Sequence, residues 1–115
     1  MEFSITEKNN CIYVKIHITE SLGPHSFFAI MDRMSQEIRD VYLQKRIPVV
    51  FNLLEASLID SYMISILVQT FRLTAPEKNV ILVSNEQIID VITLIGIDKM
   101  FDIYDSEEEW LINNS

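Results

Sequence analysis

The stretch from Val49 to Leu67, VVFNLLEASLIDSYMISIL, decides the fold of this chain. Its first six residues, Val49-Val50-Phe51-Asn52-Leu53-Leu54, form a short apolar run behind Pro48. A run of this kind fits a central strand covered on both faces. The chain then crosses Glu55 to Ile59, and Asp60 precedes a helical stretch through about Leu73. Asp60 is the expected N-cap, because its carboxylate can accept from the first free N–H groups of the helix. Ser61 becomes the first helical residue. In βα units function concentrates where strands end and helices begin, so Asp60-Ser61 is the place to look for it.

The neighbouring segments extend the same pattern. Phe3 to Glu7 alternate, Asn9-Asn10 signals a turn, and Ile12, Val14, Ile16 and Ile18 alternate with Tyr13, Lys15, His17 and Thr19. The opening therefore reads as a β-hairpin whose second strand has one wet face. Gly23-Pro24 breaks the chain and sets a proline at a helix start, where its missing N–H costs nothing. Phe27, Ile30, Met31, Met34, Ile38, Val41 and Tyr42 follow at helical spacing. Asn79 to Val83 is another apolar strand-like run. Ser84 and Gln87 have capping-box spacing before a helix carrying Ile88, Val91, Ile92 and Ile95. Gly96 is expected to stop that helix in the left-handed conformation. Phe101 to Tyr104 reads as a short edge strand, and Ser106 with Glu109 repeats the capping-box spacing ahead of Trp110 and Leu111. The order β-β-α-β-α-β-α-β-α predicts an α/β domain with a mixed sheet and right-handed crossovers. No linker or repeat divides the chain, so residues 1–115 are read as one domain.

Composition narrows the function. The chain has 115 residues, 49% hydrophobic, enough for a core without a disulfide or metal staple. A single cysteine, Cys11, allows no internal disulfide, which suits a reducing compartment. The first ten residues lack a secretory signal's apolar run, and no run approaches the roughly 20 residues of a membrane span. A soluble, cytoplasmic protein is expected. The net charge of −8 and the lack of a basic stripe argue against nucleic-acid binding. Such a balance serves solubility or a basic protein partner.

Asp60-Ser61 has two readings. It is an ordinary cap, or it is a switch. A phosphate on Ser61 would meet free N–H groups and the favourable end of the helix dipole. It would also bring about −1.5 to −2 charges next to Asp60. Those effects oppose each other, so the helix would change little while its surroundings became repulsive to an acidic or apolar partner. In the helix itself, Ile64, Leu67, Val68 and Phe71 read as a core stripe, with Tyr62, Ser65, Gln69 and Arg72 opposite. That sparsely charged outer face suits either a protein contact or a second buried layer.

The element order and these residues resemble the STAS domains, named for sulphate transporters and anti-sigma factor antagonists. The resemblance covers nearly the whole chain. Val49 to Leu67 looks like the family's signature segment, and Leu94-Ile95-Gly96-Ile97-Asp98-Lys99-Met100-Phe101 is similar to its turn before the last strand. It implies a mixed four- to five-stranded sheet with helices packed mainly on one face. It also implies a non-enzymatic anti-sigma factor antagonist in a partner-switching pathway. Ser61 would be phosphorylated by a cognate anti-sigma factor kinase and restored by a phosphatase. The partner surface would comprise Asp60, Ser61, Tyr62, Met63, Ser65 and Gln69, on a monomer or weak dimer. Two departures stand out. Antagonists usually read Asp-Ser-Ser/Thr-Gly, whereas this chain reads Asp60-Ser61-Tyr62-Met63. Many members carry Gly-Glu-Leu-Asp where this chain has Glu20-Ser21-Leu22-Gly23. An aromatic and then an apolar residue after Asp-Ser looks more like the stressosome scaffold subunits. STAS subunits associated with transporters are a third possibility.

Other chemistries lack their residues. Ile59-Asp60-Ser61-Tyr62-Met63 has no glycine for a nucleophile elbow, and neither His17 nor His25 has an evident place beside Ser61. Gly23 and Gly96, the two glycines, cannot compose a phosphate-binding loop. Cys11 and the two histidines show no metal spacing, and no catalytic residue, metal or cofactor is expected.

Overall fold

The computed structural model describes residues 2–17 and 24–113. Ile18, Thr19 and the segment Glu20-Ser21-Leu22-Gly23 lie outside the described residues, as do the side chains of His25 and Phe27. The elements are β1 (Glu2–Lys8), β2 (Cys11–His17), α1 (Pro24–Lys45), β3 (Val49–Asn52) and α2 (Ser61–Thr74). They continue as β4 (Val80–Leu82), α3 (Glu86–Leu94), a 3-10 turn (Ile97–Lys99), β5 (Asp102–Tyr104) and α4 (Glu107–Asn113).

The two-residue turn between β1 and β2 has both asparagines in the left-handed region, φ 53° at Asn9 and 60° at Asn10. That geometry matches the strand twist of a tight hairpin, and asparagine tolerates it better than most residues. The sheet order is β1-β2-β3-β4-β5, antiparallel at the hairpin and parallel from β2 onward. Each crossover thus steps in the same direction, and crossovers of one hand place α1, α2 and α3 on one face. The strand order never reverses, so the sheet has no switch-point crevice of the doubly wound type.

Register then assigns every side chain. Val14, Phe51, Ile81 and Ile103 stand in a row across the sheet on the helix face. They meet Met31, Met34 and Ile38 of α1, Met63, Ile66 and Leu67 of α2, and Ile88 and Ile92 of α3. On the back face Val50, Val80 and Leu82 form a second cluster under Trp110 of α4. Helices therefore cover mainly one face, with α4 alone closing part of the other. β3 is buried at all four positions, as its unbroken apolar run predicts.

Three sequence expectations shift. β2 does not keep a fully wet back face: Tyr13 is buried there, its ring edge-on to Trp110 at 5.8 Å. The buried arc of α2 is Met63, Ile66, Leu67, Thr70 and Thr74, with Ile64, Val68 and Phe71 only partly covered. The arc turns because α2 packs against α1 as well as the sheet. The cap of α3 is Asn85, whose Oδ1 accepts from Gln87 and Ile88, rather than Ser84. Gly96, at φ 85°, ends α3 as expected, and the Ser106 hydroxyl accepts from the Glu109 N–H to open α4.

The buried polar groups of the core are mutually bonded. Asn79 accepts from the Val49 N–H at 2.9 Å and donates to Thr74 at 2.6 Å, and Thr74 donates to the Thr70 carbonyl. This chain ties the end of α2 to the start of β3. Replacing Asn79 with Ala leaves the buried Val49 N–H without a partner. That change is expected to cost roughly 1–3 kcal/mol of stability, measurable by urea unfolding.

Candidate functional site at the start of helix α2

The residues singled out from the sequence meet at the end of β3 and the start of α2. β3 is held on both faces, so the chain leaves the sheet from a fixed point at Asn52. Asn52 shapes the exit: its side-chain oxygen accepts from the Leu54 N–H at 2.9 Å. Its amide donates to the Tyr13 hydroxyl at 2.7 Å, which in turn meets the Glu107 carboxylate. Lys8 pairs with the other oxygen of Glu107 and lies over the Tyr13 ring. A line of polar groups therefore joins α4, the hairpin and Asn52, the last residue of β3 before the loop that leads to Ser61.

The electrostatics follow from that line. Burial, followed by the bond to Glu107, pushes the Tyr13 hydroxyl up to about 12. The bonds from Lys8 and then Tyr13 hold Glu107 below the usual carboxylate range. Alternation along β2 cannot reveal this group, since its partners lie 39 and 94 residues away in sequence. The signal available was an unaccompanied Asn inside an apolar strand and a Trp with no other core to enter.

Asp60 is the N-cap of α2: its carboxylate accepts from the Met63 N–H at 3.0 Å. Ser61 follows as the first helical residue and is exposed. Tyr62 is 43% exposed, and Ser65 and Gln69 continue the outward strip one and two turns on. Gln69 donates to the Ser65 hydroxyl at 3.1 Å and accepts from Ser35 of α1. Between the helices lies a shallow groove of about 140 Å³, lined by Met31, Asp32, Ser35, Tyr62, Ser65 and Gln69 among others. Of the six expected partner-surface residues, the structure thus brings Asp60, Ser61, Tyr62, Ser65 and Gln69 together on one side.

Met63 is the correction. It is fully buried, packed in the main core, and cannot offer its side chain to a partner. The third position of the helix points inward because α2 meets both the sheet and α1, and Met63 lies on the arc that they cover. His17 lies elsewhere, lining a polar depression with Lys15 and Glu55. The Lys15–Glu55 ion pair crosses it at 3.1 Å.

Comparison with known proteins came at the level of structure. No family model matches the sequence, and no curated protein matches it either. An NMR structure of the protein TM1081 superposes with a TM-score of 0.76 at 15% identity, covering 99% of this chain and 89% of that one. A crystal structure of TM1081 from Thermotoga maritima, described as a candidate anti-sigma factor antagonist, gives 0.71 at 17% identity, covering 96% and 92%. An anti-sigma factor antagonist (STAS) domain protein from Planctomyces limnophilus gives 0.75 at 13% identity, covering 97% of both chains. The chain therefore has the fold of these STAS-domain structures, and the resemblance read from the sequence holds at that level.

Two measurements check the site. Asp60→Ala is expected to cost about 1 kcal/mol through the lost cap, and Met63→Ala about 2–5 kcal/mol through a core cavity. Tyr62→Ala should leave the urea midpoint nearly unchanged. The Tyr13 network is read by pH. A raised tyrosine pKa contributes stability that is complete below about pH 10, the unfolded value. That contribution is lost as pH rises toward about 12. The stability gap between wild type and Tyr13→Phe should therefore narrow across this window in urea titrations.

Proposed function

We propose that this protein is a non-enzymatic anti-sigma factor antagonist that acts by partner switching. In this reading it binds a cognate anti-sigma factor with serine kinase activity in the cytoplasm. The observation that carries the proposal is an exposed Ser61, first in its helix, directly after the capping Asp60. The fold shared with two proteins described as anti-sigma factor antagonists supports it.

The physical logic is electrostatic. Unmodified, the start of α2 offers Ser61, Tyr62, Ser65 and Gln69 as a nearly uncharged contact strip. Phosphorylation would place about −1.5 to −2 charges beside the Asp60 carboxylate. Asp60 already accepts the Met63 N–H, so the new charge gains less from the helix end than at a bare N-terminus. Its main effect would fall on the partner, whose contact with the strip would be repelled. A phosphatase would reverse the change.

Incubation with the cognate kinase and ATP is expected to add one phosphate to wild type and none to Ser61→Ala, read by intact mass. Ser61→Asp should weaken kinase binding at least tenfold in calorimetry. A wild type that is never modified, together with a Ser61→Asp variant that binds as tightly as wild type, would overturn the switch. Tyr62, large and exposed where antagonists usually carry a small residue, favours one other reading, a stressosome-type scaffold subunit. Light scattering separates the two: a large assembly with partner proteins would replace the antagonist reading.

A further inference from the structure

The β1 edge of the sheet carries an inference that does not depend on Ser61. β1 is the first strand in the order, and among the described residues nothing pairs with its outer side. It runs for seven residues, matched one for one with β2, with no bulge and no proline. Edges of this length are ordinarily blunted by bulges, prolines or charged side chains, because bare N–H and C=O groups invite another strand; β1 has only the charges Glu2, Glu7 and Lys8, which are of both signs.

The main-chain direction of each residue follows from one bond. The Ile12 N–H donates to the Pro48 carbonyl at 2.8 Å, so even-numbered residues of β2 direct their main-chain groups toward β3. The odd-numbered ones, Cys11, Tyr13, Lys15 and His17, bond to β1, where they face Lys8, Thr6, Ser4 and Glu2. Phe3, Ile5 and Glu7 are left with N–H and C=O groups directed out of the sheet.

We propose that β1 is a dimerisation edge, at which two copies of this chain pair antiparallel with Ile5 opposite Ile5 of the second copy. This register is self-complementary. On the back face it sets Glu2 against Lys8 at both ends, so that the Lys8 ammonium, already paired with Glu107, also meets Glu2 of the second copy, and it sets Ser4 against Thr6 between them. These are the non-hydrogen-bonded pairs, in which side chains approach most closely and opposite charges stabilise. On the helix face it sets Glu7 against Phe3, whose ring already carries the Arg33 guanidinium at 5.0 Å. The three outward residues of each copy supply about six main-chain hydrogen bonds, two for each bonded pair. Sliding by two residues puts Glu2 against Thr6, or Lys8 against Ser4, and loses both charge pairs. The five-stranded sheets join into one continuous sheet, and α2 takes no part in the contact, so both Ser61 hydroxyls stay exposed.

Sedimentation equilibrium of the purified chain tests the edge. Wild type is expected to show a concentration-dependent dimer. Ile5→Pro removes an outward N–H, at a position where an edge strand accepts proline, together with a partly buried side chain, and should weaken the dimer roughly tenfold or more. Glu2→Lys, at an exposed position, sets like charges together at both ends and should do the same while leaving the circular dichroism spectrum unchanged. Register is read by oxidising a mixture of Ser4→Cys and Thr6→Cys proteins on a Cys11→Ser background. The mixture should cross-link, and each protein alone should do so far less. A wild type that stays monomeric at millimolar concentration overturns the proposal. So does a dimer that Glu2→Lys leaves intact.

Discussion

The burial of β3 on both faces is the constraint on which the rest depends. Val49 and Phe51 enter the helix-covered core, while Val50 and Asn52 face the cluster under Trp110. A strand so enclosed has one register with its neighbours, because a slip of one residue would exchange its two cores. It also exposes no main-chain group to water, so each must be bonded. Asn79 meets the first N–H of the strand, and Asn52 organises the exit from it. The site at α2 inherits this rigidity, since the loop to Asp60 starts from a point that cannot move.

Order in the sheet and placement of the site are linked. Because the strands follow one another without reversal, no crevice opens at their ends, and a small molecule finds little enclosure near Ser61. What the end of the sheet presents instead is a helix start with an exposed hydroxyl and a sparsely charged strip. In the proposed function, another protein recognises that surface and one added charge changes the outcome. The charged residues that the chain does carry near its core are used in pairing, as Glu107 is with Lys8 and Tyr13.

Local patterns were legible wherever one neighbour decided the burial. The hairpin, with its Asn9-Asn10 turn, follows from strict alternation and left-handed asparagines. The cap at Asp60, the stop at Gly96 and the cap at Ser106 are each made within a few residues of sequence, so spacing alone locates them. The same holds for Ser61, whose exposure follows from its place at the helix start. Patterns failed where two surfaces compete for one element. α2 meets both the sheet and α1, which widens its buried arc and takes Met63 inside. Ser84 and Asn85 are both good caps, and only the geometry of the chain leaving β4 selects the second.

The sequence by itself determined the order of elements, the strand enclosed on both faces, and the serine placed after a capping aspartate. Each depends on interactions between residues close along the chain or on periodicity within one element. Only the tertiary structure decided that Met63 supports the site from beneath, and that Tyr13, Asn52 and Glu107 join one line behind it. Only the structure left β1 as a sheet edge with no strand on its outer side among the described residues. Those outcomes depend on which distant segments become neighbours, and the hydrophobic pattern of a single segment records that a face is covered without recording what covers it.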